Sequence, residues 1–106
     1  MTTTFDKREE GFENKFAHDE ELKFKAIARR DKMLGMWAAE KLGLSGAQAE
    51  AYAKEVVMAE FQADHDIFKK VRGDFDAKNV AVSDQEIRRV MDELMAQAIA
   101  QVKASG

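Results

Sequence analysis

The fold turns on residues 37–49, Trp37-Ala38-Ala39-Glu40-Lys41-Leu42-Gly43-Leu44-Ser45-Gly46-Ala47-Gln48-Ala49. An apolar helical period runs into Leu42, halts at a glycine and restarts behind a serine. Gly43, followed by Leu44, is a left-handed helix stop, because glycine meets no Cβ penalty there. Ser45, with Gln48 three residues on, is a capping-box pattern that opens the next helix. Two helices joined by so short a turn fold back antiparallel, so this stretch predicts a helical hairpin.

The same periodicity extends in both directions. Upstream, Leu22, Ala26, Met33 and Trp37, with Ile27, Leu34 and Ala38, give a broad stripe that predicts a helix from about Asp19 to Leu42. Asp19, Glu20 and Glu21 fall in its first turn, where carboxylates suit the positive end of the helix dipole. Downstream, Ala49, Tyr52, Ala53, Val56 and Val57 form the inner face of a second helix that closes near Phe61. Gln62 to Asp66 is polar and aperiodic, and reads as a loop. Ile67, Phe68, Val71 and Phe75 predict a short third helix, weakened in its second half by Gly73. A connector from Ala77 to Val82 follows, with Val80 and Val82 tucked inward. Ser83 and Glu86 make a second capping box ahead of Ile87, Val90, Met91, Leu94, Ala98 and Val102. Ala104, Ser105 and Gly106 are expected to fray. The architecture predicted is all-α: a small antiparallel four-helix bundle over residues 17–106, with a flexible N-terminal arm over residues 1–16.

That arm has a different texture. Phe5, Phe12 and Phe16 stand among Asp6, Lys7, Arg8, Glu9, Glu10, Glu13 and Lys15. The rings are seven and four residues apart, so a helix would bring them to one side. Gly11 interrupts that helix at a cost of about 1 kcal/mol relative to Ala, and isolated helices of this length are marginal in water. Exposed rings gain nothing in water, so three at helical spacing point to an arm that folds against a partner.

Composition removes several classes of function. The 106 residues hold no cysteine, hence no disulfide, thiolate metal site or cysteine nucleophile. A net charge of −3, with both signs interleaved, argues against a nucleic-acid binder. No apolar run approaches a membrane span, and the charged N-terminus does not read as a secretory signal. A dimetal bundle site needs Glu followed by His three residues later. His18 instead follows Lys15 and His65 follows Gln62, so no metal site is expected. Gly43 to Gly46 lacks the lysine and spacing of a phosphate loop. Basic groups at Lys25, Arg29 and Lys32, at Lys69, Lys70 and Arg72, and at Arg88 and Arg89 read as solvated faces, balanced by pairs such as Glu21 with Lys25. Trp37 reads as core. Phe24 lies off its helix's stripe, so either a neighbouring helix covers it or it belongs to an exposed contact patch.

Several long strings carry a resemblance: Phe5-Asp6-Lys7-Arg8-Glu9, Lys15 to Leu22, Trp37 to Gly46, Ala49-Glu50-Ala51-Tyr52-Ala53, Asp74-Phe75-Asp76 and Ile87-Arg88-Arg89. Together they resemble the zeta-subunit family, small inhibitors of the F-type ATP synthase of alphaproteobacteria. The similarity spans essentially the whole chain and is weakest at Gln62 to Asp66. It implies a non-catalytic protein whose bundle anchors on the F1 catalytic head. Its mobile arm would fold as a helix between the catalytic subunits and the central stalk and block rotation in the hydrolysis direction. Carried onto this chain, Phe5, Phe12 and Phe16 become apolar anchors, with Asp6, Arg8, Glu9 and Glu13 as polar contacts. Phe24, Lys25 and Arg29, from the reading of the residues themselves, are expected as secondary contacts. No cofactor is expected beyond weak nucleotide binding, for which no residues are assigned. The free protein is expected to be a cytoplasmic monomer, peripheral to the inner membrane through the synthase, with neither nucleic acid nor direct membrane insertion. The alternative is a nucleotide-sensing helical module built on the basic groups.

Overall fold

The computed structural model describes the backbone of residues 3–62 and 66–105 and the side chains of residues 20–62 and 66–104. Four helices follow in order: α1 (Thr3–Lys41), α2 (Gly46–Ala59), α3 (Ile67–Ala77) and α4 (Asp84–Ser105). No strand occurs among the described residues. They form a small antiparallel bundle in which α1 lies between α2 and α4, and the short α3 closes against all three.

The predicted hairpin is present, with its stop built as expected. Gly43 adopts φ +81°, the Leu44 N–H donates to the Ala39 carbonyl at 2.8 Å and the Gly43 N–H to Glu40 at 3.1 Å. This is a Schellman ending, and Leu44 packs on the core beyond it. The end of α3 repeats the device with Asn79 at φ 59°. There Val80 donates to Phe75 at 2.8 Å and Asn79 to Asp76 at 3.1 Å. Asparagine is one of the few side chains that tolerate this conformation, which turns Val80 and then Val82 inward as predicted.

Helix starts follow the predicted chemistry in part. The Ser83 hydroxyl accepts the Glu86 N–H at 3.0 Å and caps α4. Ser45 occupies the N-cap of α2, but its side chain makes no capping bond, so the first capping box does not form. Asp66 takes that role for α3, accepting the Lys69 N–H at 3.0 Å. Gly73 faces open space within a helix that runs on to Ala77. Likewise α4 carries through Ala104 and Ser105, where the sequence predicts fraying.

The largest departure is at the start of α1, which begins at Thr3 and not near Asp19. Asp19, Glu20 and Glu21 therefore sit inside a helix, and the macrodipole argument for them fails because that field is confined to the terminal turn. At 1.5 Å per residue the 39-residue helix is about 58 Å long. Arm and bundle share one helical backbone.

Two apolar clusters hold the bundle. The larger joins Leu34, Ala38 and Ala39 of α1 to Tyr52 and Val56 of α2, Ile67, Val71 and Phe75 of α3, and Ile87 and Val90 of α4. Half-buried Trp37 meets the Phe75 ring edge-on, with centroids 5.7 Å apart, and is core as expected. In α2 the buried face shifts slightly from prediction: Ala59 is buried and Val57 only half-buried. The smaller cluster is Ala26 of α1 against Ala98 and Val102 of α4, with Leu22 and Met33 packed beside it. Beside the larger cluster α1 and α2 nearly touch. A Cβ on Gly35 would stand 2.6 Å from the Ala53 Cα.

Candidate interaction site

The arm residues singled out by the sequence are Phe5, Asp6, Arg8, Glu9, Phe12, Glu13 and Phe16. All ride on the helical backbone of α1, upstream of both apolar clusters, and their side chains lie outside the described residues. The side chain of His18 and the whole of His65 lie outside them too. Where description of the side chains begins, α1 and α4 flank a groove of about 280 Å³ lined by Leu22, Ala26, Ile99 and Val102. Glu20, Lys23 and Lys103 rim it.

A second feature lies on the other flank of α1. Phe24 is 61% exposed and stacks on Phe61, itself 59% exposed, with centroids 6.1 Å apart and planes within 8°. Exposed Met58 belongs to the turn of helix just before Phe61. Phe24 is thus both met by a neighbouring helix end and left open. The sequence placed Phe61 at the closing of α2. In the fold it stands just past the helix, in the turn, and the available signal was an aromatic residue beyond the last buried position of its stripe. Nearby, Lys25 is exposed, and among the described residues the expected Glu21–Lys25 pair does not form. Arg29 faces α4, where its Nη1 reaches Gln101 Oε1 at 3.4 Å.

The other basic groups serve the bundle itself. Lys70 bridges Glu55 at 3.0 Å and Asp74 at 2.9 Å, and its ammonium sits 5.2 Å from the Tyr52 ring centre. Tyr52 in turn donates to Asp74 at 2.6 Å. Burial, reinforced by that bond to a carboxylate, pushes the Tyr52 phenol up. Burial pulls Lys70 down, but its hydrogen bonds to Asp74 and Glu55 outweigh this and raise it. Arg72 donates to the Val82 carbonyl at 2.7 Å and pairs with Asp76 and Asp84, stapling the connector to α3. Arg88 lies 3.9 Å over the Phe68 ring, and Arg89 pairs with Glu93 at 2.9 Å. The predicted solvated faces are therefore interhelical fastenings at Lys70, Arg72 and Arg88.

Among the described residues one charged side chain is fully buried, Asp31. The Arg30 Nε donates to its Oδ1 at 2.8 Å, and Arg30 Nη2 lies 3.7 Å from Oε1 of Glu60 at the end of α2. Burial first, and then contact with Glu60, push Asp31 up to about 7, against the pull of Arg30. The sequence carries a signal for this burial, since Asp31 follows Ile27 by four residues and precedes Leu34 by three. That places a carboxylate on the buried stripe.

Among the described residues no three acidic or metal-binding side chains converge on a metal site, and no helix is long and apolar enough to cross a membrane. The features described are surfaces, the α1–α4 groove and the Phe24–Phe61 pair.

Comparison with known proteins identifies the family. A structure solved by solution NMR is similar at 46% identity and a TM-score of 0.67, covering 80% of this chain and 99% of that one. No curated protein matches. The family model described as ATPase inhibitor subunit zeta matches residues 1–101, taking in the arm, the first three helices and most of α4. The chain is a member of that inhibitor family and is not an enzyme.

Proposed function

We propose that the protein inhibits ATP hydrolysis by the F1 head of ATP synthase through its arm, and that the bundle is the anchor. The observation that carries this reading is the family match beginning at residue 1, which makes the aromatic arm part of the family pattern. In this mechanism residues 2–16 dock as a helix between the catalytic subunits and the central stalk. Phe5, Phe12 and Phe16 fill apolar pockets, while Asp6, Arg8, Glu9 and Glu13 set the register. A helix wedged at a rotating interface needs no chemistry, because a stalled rotor stops hydrolysis at every site.

The energetics explain why an anchor is needed. Ordering about fifteen residues costs on the order of 15 kcal/mol of backbone entropy. Burying three phenylalanine rings returns about 5–9 kcal/mol. Contacts of the bundle make up the difference, and tethering raises the effective concentration of the arm at its groove. Continuity of α1 from Thr3 to Lys41 supports the same view, since the docked helix would be an extension of one already held by the bundle.

Titrating the cognate catalytic head with full-length protein and with protein lacking residues 1–16 tests the proposal. The truncated form is expected to keep its helical circular dichroism and lose inhibition. Full inhibition without the arm would sink the mechanism.

A further inference from the structure

The exposed apolar side chains of the bundle are gathered at one end. Among the described residues the large ones are Phe24, Met36, Met58, Phe61 and Ile99, and all but Met36 stand where α1 emerges from its cover. Phe24 and Phe61 stack on one flank of α1. On the other, Leu22, Ile99 and Val102 line the groove shared with α4.

The register of α1 links this end to the arm. Steps of seven, four, seven, seven and four residues lead from Phe5 to Phe12, Phe16, Lys23, Arg30 and Leu34. At 3.6 residues per turn these positions fall within about 20° of one line along the helix. On that line Leu34 has no exposed surface, the Arg30 side chain is 16% exposed, and Lys23 is open to solvent. The bundle covers the line through Arg30, which meets Glu60 at the end of α2, and no further. The three phenylalanine positions lie beyond, on the same line. Whatever covers them must abut the ends of α2 and α4, where Phe61 and Ile99 are exposed.

We propose that this end of the bundle is a docking surface for the same catalytic head that receives the arm, which rests on the proposed inhibition of that head. The head supplies apolar side chains to the Phe24–Phe61 pair and to the groove, and sets a carboxylate between them against Lys23. Lys23 lies on the covered line and makes no ion pair with a described residue. An ammonium taken out of water without a counter-charge is strongly disfavoured, so the covering surface brings one. The other charges at the groove, Glu20 and Lys103, are of opposite sign. The 39-residue α1 then runs along one continuous apolar surface, built first by its own chain and then by the head.

Titrating the cognate head with full-length variants tests this. Phe24→Ser with Phe61→Ser, Ile99→Ser, and Lys23→Glu are each expected to raise the half-inhibiting concentration about tenfold or more, the scale of losing an interface anchor. Inhibition at saturation should stay complete, because the arm is intact. Met36→Ser, exposed but twelve residues along α1 from Phe24, should leave the midpoint unchanged. Hydrogen exchange of the wild-type chain, free and head-bound, should show new protection in the last turns of α2 and α4. A wild-type midpoint for any of the three variants, or unchanged exchange in those turns, would overturn the docking surface and leave inhibition by the arm standing. A wild-type chain that neither binds nor inhibits the head would remove both readings together. Self-association of the free chain, abolished by Phe24→Ser with Phe61→Ser, would make a second copy the occupant and also overturn the proposal.

Discussion

Gly11 and Gly35 lie in the same helix and stand there for opposite reasons. Gly35 is buried where α1 and α2 come closest, and an added Cβ would strike the Ala53 backbone. Gly11 lies in the arm, upstream of both apolar clusters, and acts through propensity. The contrast extends to the two halves of α1. From Leu22 onward the helix exists because α2, α3 and α4 cover it. Before that point the same backbone carries three phenylalanines among charges, a pattern that suits a partner outside the chain.

The most direct way to break the comparison is to remove the rings of one half. Replacing Phe5, Phe12 and Phe16 together with Ala is expected to weaken inhibition of the catalytic head at least about a hundredfold, since each buried ring is worth about 1.5–3 kcal/mol. The melting temperature of the free protein should hardly move. The complementary change, Phe75→Ala, removes a ring with no exposed surface and should cost about 3–5 kcal/mol in urea unfolding. If the arm variant lost stability comparable to the core variant, the two halves would not be energetically distinct.

Equal substitutions at the two glycines sharpen the point. Gly35→Ala is expected to destabilise by about 1–3 kcal/mol, because two helix backbones must separate. Gly11→Ala should add about 1 kcal/mol of helix propensity to the arm, read as increased ellipticity and tighter inhibition. The smallest effect is expected at Glu21→Ala, within about 0.5 kcal/mol by thermal melting, because its expected partner Lys25 is not engaged.

Much of the fold was legible because it rests on local rules. The Gly43 stop and the Ser83 cap operate within a few residues of chain, and both are seen. The stripes of α1 and α4 follow from the helical period alone. Boundaries failed where competing local signals were present. Asp19 to Glu21 imitate a first turn, yet α1 passes straight through them. At Ser45 the capping sequence is present, but the backbone, with Gly46 at φ +58°, leaves the hydroxyl without its bond. Of the candidate site, the arm was legible as a pattern of rings and charges. Phe61, which completes the patch begun by Phe24, was not, because stacking joins residues on different helices.

By itself the sequence determined the helical class, the order of four helices, the antiparallel hairpin at Gly43, the absence of cysteine chemistry and the unusual arm. These depend on side-chain period, glycine freedom and capping, which act over one or two turns. Tertiary structure alone decided that Lys70, Arg72 and Arg88 fasten helices together, that Gly35 is a contact point, and that Asp31 shares a buried corner with Arg30 and Glu60. Those outcomes depend on which helix faces meet. A charge that looks solvated along the chain becomes a fastening, or a buried carboxyl, only when another helix removes its water.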